Sequence, residues 1–242
     1  MKNTELFTLR TFDEDMTGTL SMTALMHYLQ EAATLHLRKT DQDYKMLYQK
    51  GKAYVISRMN ISVYTAMVSG DDITVETWVH DCKGVSFNRH FRVLCRGRVA
   101  AEAVSVWAFV STGPERRIFR VTDPDANYTV HMADDAVELD PPAKLKMPEN
   151  MNLIGEKTVL YSDCDINGHL NNARYPDMLL SFVKEGQTAP GRRIENVKLN
   201  FLKEAALGEE LKIYHAEYDG VHYFRTVRSD GNTNLEAELI FE

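Results

Sequence analysis

The chain repeats itself, and that constrains its fold more than any other feature. Phe12-Asp13-Glu14-Asp15-Met16-Thr17-Gly18-Thr19-Leu20 can be laid without gaps on Ser162-Asp163-Cys164-Asp165-Ile166-Asn167-Gly168-His169-Leu170. Asp13, Asp15, Gly18, Leu20 and Leu29 recur as Asp163, Asp165, Gly168, Leu170 and Leu179, an offset of 165 − 15 = 150. Further on, Gly70-Asp71-Asp72-Ile73 resembles Gly208-Glu209-Glu210-Leu211 at 208 − 70 = 138. Gly97 with Glu102-Ala103 resembles Gly231 with Glu236-Ala237 at 231 − 97 = 134. Three matches in the same order, with a shrinking offset, describe two copies of one unit, the first carrying longer insertions.

Each copy shows the same expected pattern. A short strand (5–10; 156–161) leads into an Asp/Asn/Gly-rich turn and then a helix. The first helix, 21–38, carries Met22, Leu25, Met26, Leu29, Ala32, Ala33 and His36 at i, i+3, i+4 spacing, with Ser21 or Thr23 as cap. The second, 171–184, is shorter, with Tyr175, Met178, Leu179 and Phe182 on one side. Period-2 runs rich in Val, Ile, Phe, Tyr and Thr predict strands at 54–64, 73–80, 86–95 and 101–110, then 194–202, 210–218, 221–228 and 235–241. One helix and several antiparallel strands, twice over, is an α+β architecture. Five of seven prolines lie between Pro114 and Pro148, so 122–150 reads as a surface linker between units at 1–121 and 151–242.

Composition narrows the function. Lys+Arg 28 against Asp+Glu 35 gives a net charge of −7, which argues against nucleic acid. No apolar run approaches the length of a membrane span. Met1-Lys2-Asn3-Thr4-Glu5 lacks the features of a signal or transit peptide. Cys82, Cys95 and Cys164 cannot make a disulfide framework and fit free thiols in a reducing cytoplasm.

The chemistry concentrates in 163–175. Asp163-Cys164-Asp165-Ile166-Asn167-Gly168 opens like a calcium loop, but the twelfth position is Arg174 where a bidentate glutamate is needed. Asp165, Asn167 and His169 share a turn just before a helix. That arrangement either caps the helix or orients an imidazole beside unpaired backbone N–H groups that hold a developing oxyanion. The repeat separates the two roles. Asp15 and Gly18 are kept in both copies, whereas Thr17 and Thr19 stand where the second copy has Asn167 and His169. Glu204, where the 138 offset gives Ala66, follows the same asymmetry. No phosphate-binding glycine loop, nucleophile elbow or paired-histidine zinc motif is present. His80, Cys82, His90 and Cys95 are loosely spaced across alternating strand faces, so neither a metal nor any other cofactor is expected.

Ser162-Asp163-Cys164-Asp165-Ile166-Asn167-Gly168-His169-Leu170-Asn171-Asn172-Ala173-Arg174-Tyr175 is similar to the S-D-x-D-x-N-x-H-x-N-N-x-x-Y signature of the acyl-acyl carrier protein thioesterases of bacteria and plant plastids. Tyr54-Val55-Ile56-Ser57-Arg58, Val75-Glu76-Thr77-Trp78-Val79, Ser105-Val106-Trp107 and Glu115-Arg116-Arg117 resemble its first-half motifs. The resemblance implies a double hotdog fold, two helices each wrapped by an antiparallel sheet. It also implies hydrolysis of the thioester between a fatty acyl chain and the carrier's phosphopantetheine arm, in fatty acid biosynthesis. Asp165, Asn167, His169 and Glu204 would be catalytic. The acyl slot would lie in the first half, with Leu25, Met26, Leu29, Val55 and Met59 as lining candidates. An acidic carrier would dock on Arg116, Arg117, Arg120, Lys144, Lys146, Arg192 or Arg193. The plant enzymes often have Cys after the glutamate. Here it is Ala205, which removes a cysteine nucleophile. Absence of a plastid leader favours a bacterial cytoplasmic form. An acyl-coenzyme A thioesterase, a non-catalytic acyl-binding module and a further homodimer stay open.

Overall fold

Strand alternation sets the architecture of the computed structural model, which describes residues 1–39, 43–113, 115, 117–126, 132–183 and 193–242. The first half contains β1 (Asn3–Thr8), α1 (Met22–Arg38), α2 (Tyr44–Gln49), β2 (Lys52–Val63), β3 (Asp72–Lys83), β4 (Ser86–Cys95), β5 (Arg98–Ser111) and β6 (Ile118–Phe119). The second contains β7 (Asn152–Thr158), α3 (Tyr175–Leu180), β8 (Ile194–Phe201), β9 (Glu210–Tyr218), β10 (Val221–Arg228) and β11 (Thr233–Phe241). The first-half strands run β1-β3-β4-β5-β2, with β6 on β5; the second-half strands run β7-β9-β10-β11-β8. The two orders correspond strand for strand, and the pairings within each are antiparallel.

The repeat holds at the level of single hydrogen bonds. In the first copy Asp15 N donates to Thr19 O, Gly18 N to Asp15 O, Leu20 N to Met67 O and Ser21 N to Asp13 O. In the second, Asp165 N donates to His169 O, Gly168 N to Asp165 O, Leu170 N to Ala205 O and Asn171 N to Asp163 O. Gly18 (φ 74°) and Gly168 (φ 76°) occupy the left-handed region, which is why glycine stands at both turns.

Two compact units emerge, and neither is a contiguous half. One comprises Met1–Leu9, His27–Thr65 and Asp71–Pro142; the other comprises Arg10–Met26, Ala66–Gly70 and Ala143–Glu242. The stretch 122–142, read from sequence as linker, groups with the first unit. In that unit Leu37 of α1 packs with Leu47, Tyr54, Val79, Phe87, Phe109 and Ala126, so the helix covers one sheet face. In the second unit Ser21 Oγ caps α1 by accepting from Ala24 N, and Asp177 Oδ2 accepts from Thr23 N, placing a carboxyl at the helix's positive end. The second helix differs from its expected extent. Asn171 caps a short 3₁₀ turn (Asn172–Arg174), and α3 starts only at Tyr175, with Pro176 in its first turn. Gly155 in β7 lets Phe182 close in, since a Cβ there would lie 2.4 Å from the ring. Among the described residues, no helix is long and apolar enough to cross a membrane.

The other face of the first sheet carries the segment 132–142. Trp78 Nε1 donates to Asp135 O (2.6 Å), His80 Nδ1 contacts the same carbonyl (2.9 Å), and Val137 N donates to His90 Nδ1 (3.2 Å). Asn60 Nδ2 donates to Asp140 O. His90 is buried, and burial followed by the neighbouring His80 charge pushes its pKa down to about 4. Its folded pKa lies below the unfolded value, so its neutral form stabilises the fold above about pH 6.5, and that contribution is lost as pH falls toward 4. The loss reaches roughly 3 kcal/mol at most. We expect wild-type denaturation midpoints to fall between pH 6.5 and 5 more steeply than those of His90→Gln. Equal slopes would remove His90 as the cause.

Candidate active site

Backbone order around 163–171 fixes the site before any side chain acts. A short 3₁₀ turn (Tyr161–Asp163) is closed by Asp163, whose carboxylate accepts from Leu160 N and pairs with Lys157. Burial pushes the Asp163 carboxyl up, but the Lys157 ammonium and the Leu160 amide outweigh it and hold it below the usual range. Asp165 Oδ1 accepts from Asn167 N (2.8 Å), and Oδ2 accepts from Asn167 Nδ2 (3.3 Å). Leu170 N to Ala205 O and Leu207 N to Gly168 O then lace this turn to the segment after β8. His169 and Glu204 are brought together by that lacing. His169 Nδ1 lies 3.5 Å from Glu204 Oε2, both side chains partly exposed. The first copy builds the same turn on hydroxyls, with Thr17 Oγ1 on Asp15 Oδ1 (2.6 Å) and on Thr19 Oγ1 (2.9 Å).

One sequence expectation changes. The oxyanion donors do not come from a long helix start, because α3 has only six residues and begins after the capped 3₁₀ turn. The amides of Asn167, Gly168, Asn171, Ala173 and Arg174 are spent on bonds within the turn and its cap, and that of Leu170 on Ala205 O. Asp165 accepts from Asn167 as Asp15 accepts from Thr17, so the aspartate forms the turn in both copies. Ala205 is fully buried.

Leu25, Met26 and Leu29 on α1 and Met59 on β2 are buried. Val55 is not a lining residue beneath α1. It faces Ala108, on the side of the sheet away from Tyr54 and Phe109, which pack with Leu37 of that helix. A bulge between Ile56 and Arg58 flips the alternation that would have put Val55 with Met59. His80 shares the face of Trp78, which pairs with His90, so the two imidazoles meet (ring centroids 4.7 Å), while a bulge between Val79 and Asp81 sends Cys82 into the helix-side core. Burial, then Asp81, pushes the Cys82 thiol up to about 11. Among the described residues no three metal-ligating side chains gather. Arg117, Arg120, Lys144 and Lys146 are exposed. Arg193 is committed to an ion pair with Glu242, whose carboxyl it holds below the usual range. Arg116 and Arg192 lie outside the described residues.

Family models described as the acyl-ACP thioesterase N-terminal and C-terminal domains match residues 1–130 and 148–242. The chain belongs to the acyl-ACP thioesterase family. A dodecanoyl-[acyl-carrier-protein] hydrolase of Cinnamomum camphora is 24% identical over 222 residues, 85% of this chain and 57% of that protein. A palmitoyl-acyl carrier protein thioesterase of Gossypium hirsutum is 26% identical over 211 residues, 81% and 49% of the two chains. The chain thus spans about half the length of the curated relatives it matches. Two crystal structures share the fold over the whole chain. One is an acyl-ACP thioesterase from Bacteroides thetaiotaomicron (TM-score 0.89, 24% identity, 98% of that chain covered). The other is a 12:0-ACP thioesterase from Umbellularia californica (TM-score 0.87, 20% identity, 97% covered). The α+β double hotdog is therefore the fold of this family member.

Thr226 and Asn234 are not singled out in the sequence, and Tyr175 only as the last residue of the signature and as part of an apolar helix face. Tyr175, Thr226 and Asn234 are each at most 2% exposed. Asn234 Nδ2 donates to Lys203 O (2.5 Å), and Thr226 Oγ1 donates to Asn234 Oδ1 (2.7 Å). The Tyr175 hydroxyl lies beside Asn234, and burial raises its pKa strongly.

Proposed function

We propose that the chain hydrolyses fatty acyl-acyl carrier protein thioesters, releasing free fatty acid and the carrier's thiol. The observation that carries this reading is the His169–Glu204 pair, present in one copy of the repeat only. Glu204 accepts from His169 Nδ1–H, which leaves the Nε2 lone pair to take a proton from water. The resulting hydroxide adds to the thioester carbonyl carbon, with Asn167 presenting its carboxamide to the carbonyl oxygen. Collapse of the tetrahedral intermediate breaks the C–S bond, and the departing thiolate recovers the proton from His169 Nε2. The acyl chain is held in an apolar slot of the first half, with the buried Leu29 and Met59 of one unit as its lining, each buried methylene adding about 0.8 kcal/mol. The three free cysteines agree with a cytoplasmic setting.

The test is thiol release from a chain-length panel of acyl-carrier thioesters, beside matched acyl-coenzyme A. Faster turnover of the carrier-bound series supports the reading. Preference for coenzyme A reassigns the donor, and tight binding without release makes the protein an acyl-binding module. The exposed cations Arg117, Arg120, Lys144 and Lys146 supply the proposed carrier contacts. Raising salt should slow turnover of acyl-carrier substrate while leaving small soluble thioesters unchanged. Equal salt sensitivity for both would remove the patch.

A further inference from the structure

We infer that Tyr175, Thr226 and Asn234 form a buried polar clamp that positions Glu204 against His169; this rests on the thioesterase reading above. Asn234, the second residue of β11, reaches back to the segment after β8. Its backbone carbonyl accepts from Leu202 N (2.9 Å) and Lys203 N (3.1 Å), and its side chain donates to Lys203 O. Thr226 of β10 locks the carboxamide by donating to Oδ1, and Thr226 Oγ1 itself accepts from Leu235 N (3.1 Å). Tyr175 of α3, buried with its hydroxyl beside Asn234, closes the clamp by packing, its ring 5.8 Å from Phe201. Glu204 therefore sits between two fixed residues, Lys203 held by Asn234 and Ala205 held by Leu170 N.

The first copy supplies the control. There Tyr64 N and Thr65 N donate to Ala100 O (2.8 and 3.2 Å), repeating the bonds of Leu202 and Lys203 to Asn234. The 150 offset sets Leu25 against Tyr175, and the 134 offset sets Ala100 against Asn234. Val93 faces Ala101 just as Thr226 faces Leu235, each followed by a register shift. The backbone thus folds with Leu, Val and Ala at these places, all buried. The scaffold does not need the polar set. It occurs in the copy that carries Asn167, His169 and Glu204, and it reaches toward them through Leu202 and Lys203. A merely architectural role predicts the same side chains in both copies.

Thr226→Val, Tyr175→Phe and Asn234→Ala should each lower kcat about 10- to 100-fold with KM little changed, the loss expected when a catalytic group is displaced by about an ångström. In a Glu204→Gln background the same substitutions should add almost nothing, because the group they position is already disabled. Equal losses in both backgrounds, or a loss in KM alone, would overturn the clamp. Thermal unfolding of each variant checks folding; if Asn234→Ala unfolds, the two milder variants carry the test. A second readout needs no turnover. The His169 ring resonance should respond to Glu204→Gln in the wild type and lose that response in Thr226→Val and Asn234→Ala. A response retained in both variants would overturn the proposal even if the wild type releases no thiol, an outcome that would instead sink the thioesterase reading.

Discussion

His169→Ala should lower kcat for thiol release by roughly 10²–10⁴-fold, the span over which general acid–base groups act. The thioester needs an attacking oxygen made nucleophilic at neutral pH, and the proposed mechanism makes His169 Nε2 the base, with Glu204 Oε2 3.5 Å from Nδ1 to orient it. Glu204→Gln keeps the size of the side chain and removes its charge, so the imidazole loses the partner that stabilises its protonated form. A fall of about 10²-fold or more is expected, with KM within a few-fold, since neither group lines the acyl slot. The two act as a unit, so the double variant should be little worse than the more damaged single one. Thr19→Ala, at the counterpart position, should leave turnover within about threefold. Near-normal turnover in His169→Ala would remove the assignment. Multiplying losses in the double variant would mean that Glu204 acts on water or carbonyl by itself.

The site was legible in the sequence largely because the chain carries its own control. Asp15 and Gly18 recur as Asp165 and Gly168 and do the same backbone work, so the differences at 17, 19 and 66 stood out against a fixed scaffold. The strands at 86–95, 210–218 and 221–228 were legible to the residue, bounded by tight turns and unbroken alternation within. What failed, failed for local physical reasons. One extra residue in a strand reverses every later side chain, and the bulges at Ile56/Arg58 and Val79/Asp81 put Val55 and Cys82 on faces that plain alternation does not give. α2 buries only Leu47, so it shows no apolar stripe. β6 is two residues long. Thr226 and Asn234 lie on the paired strands β10 and β11, whereas Tyr175 comes from α3 some fifty residues earlier, so their convergence exists only in the folded unit.

Trp78→Ala should cost the fold about 3–5 kcal/mol, as the deletion of a large buried side chain does. Trp78 is fully buried and packs with Val104 and Val137, and Lys2 Nζ stands 4.4 Å over its ring. Its Nε1 holds Asp135 O, so the residue is both core and anchor for the segment 132–142. The second copy shows what the face is like without that anchor. Ala216 faces Tyr223 as Trp78 faces His90, and Tyr218 and Tyr223 approach to 6.4 Å where the first copy has the two histidines. The tryptophan is thus a feature of the copy whose face is covered. Trp78→Phe keeps a ring but drops the N–H donor, while Asp135 O retains its contact with His80, so the expected loss is smaller. Denaturant unfolding orders the two variants. Limited proteolysis separates core from anchor, since cleavage between 132 and 142 should rise in both variants and most in Trp78→Ala. A midpoint shift worth less than about 1 kcal/mol in Trp78→Ala would mean that the neighbouring side chains collapse into the space it leaves.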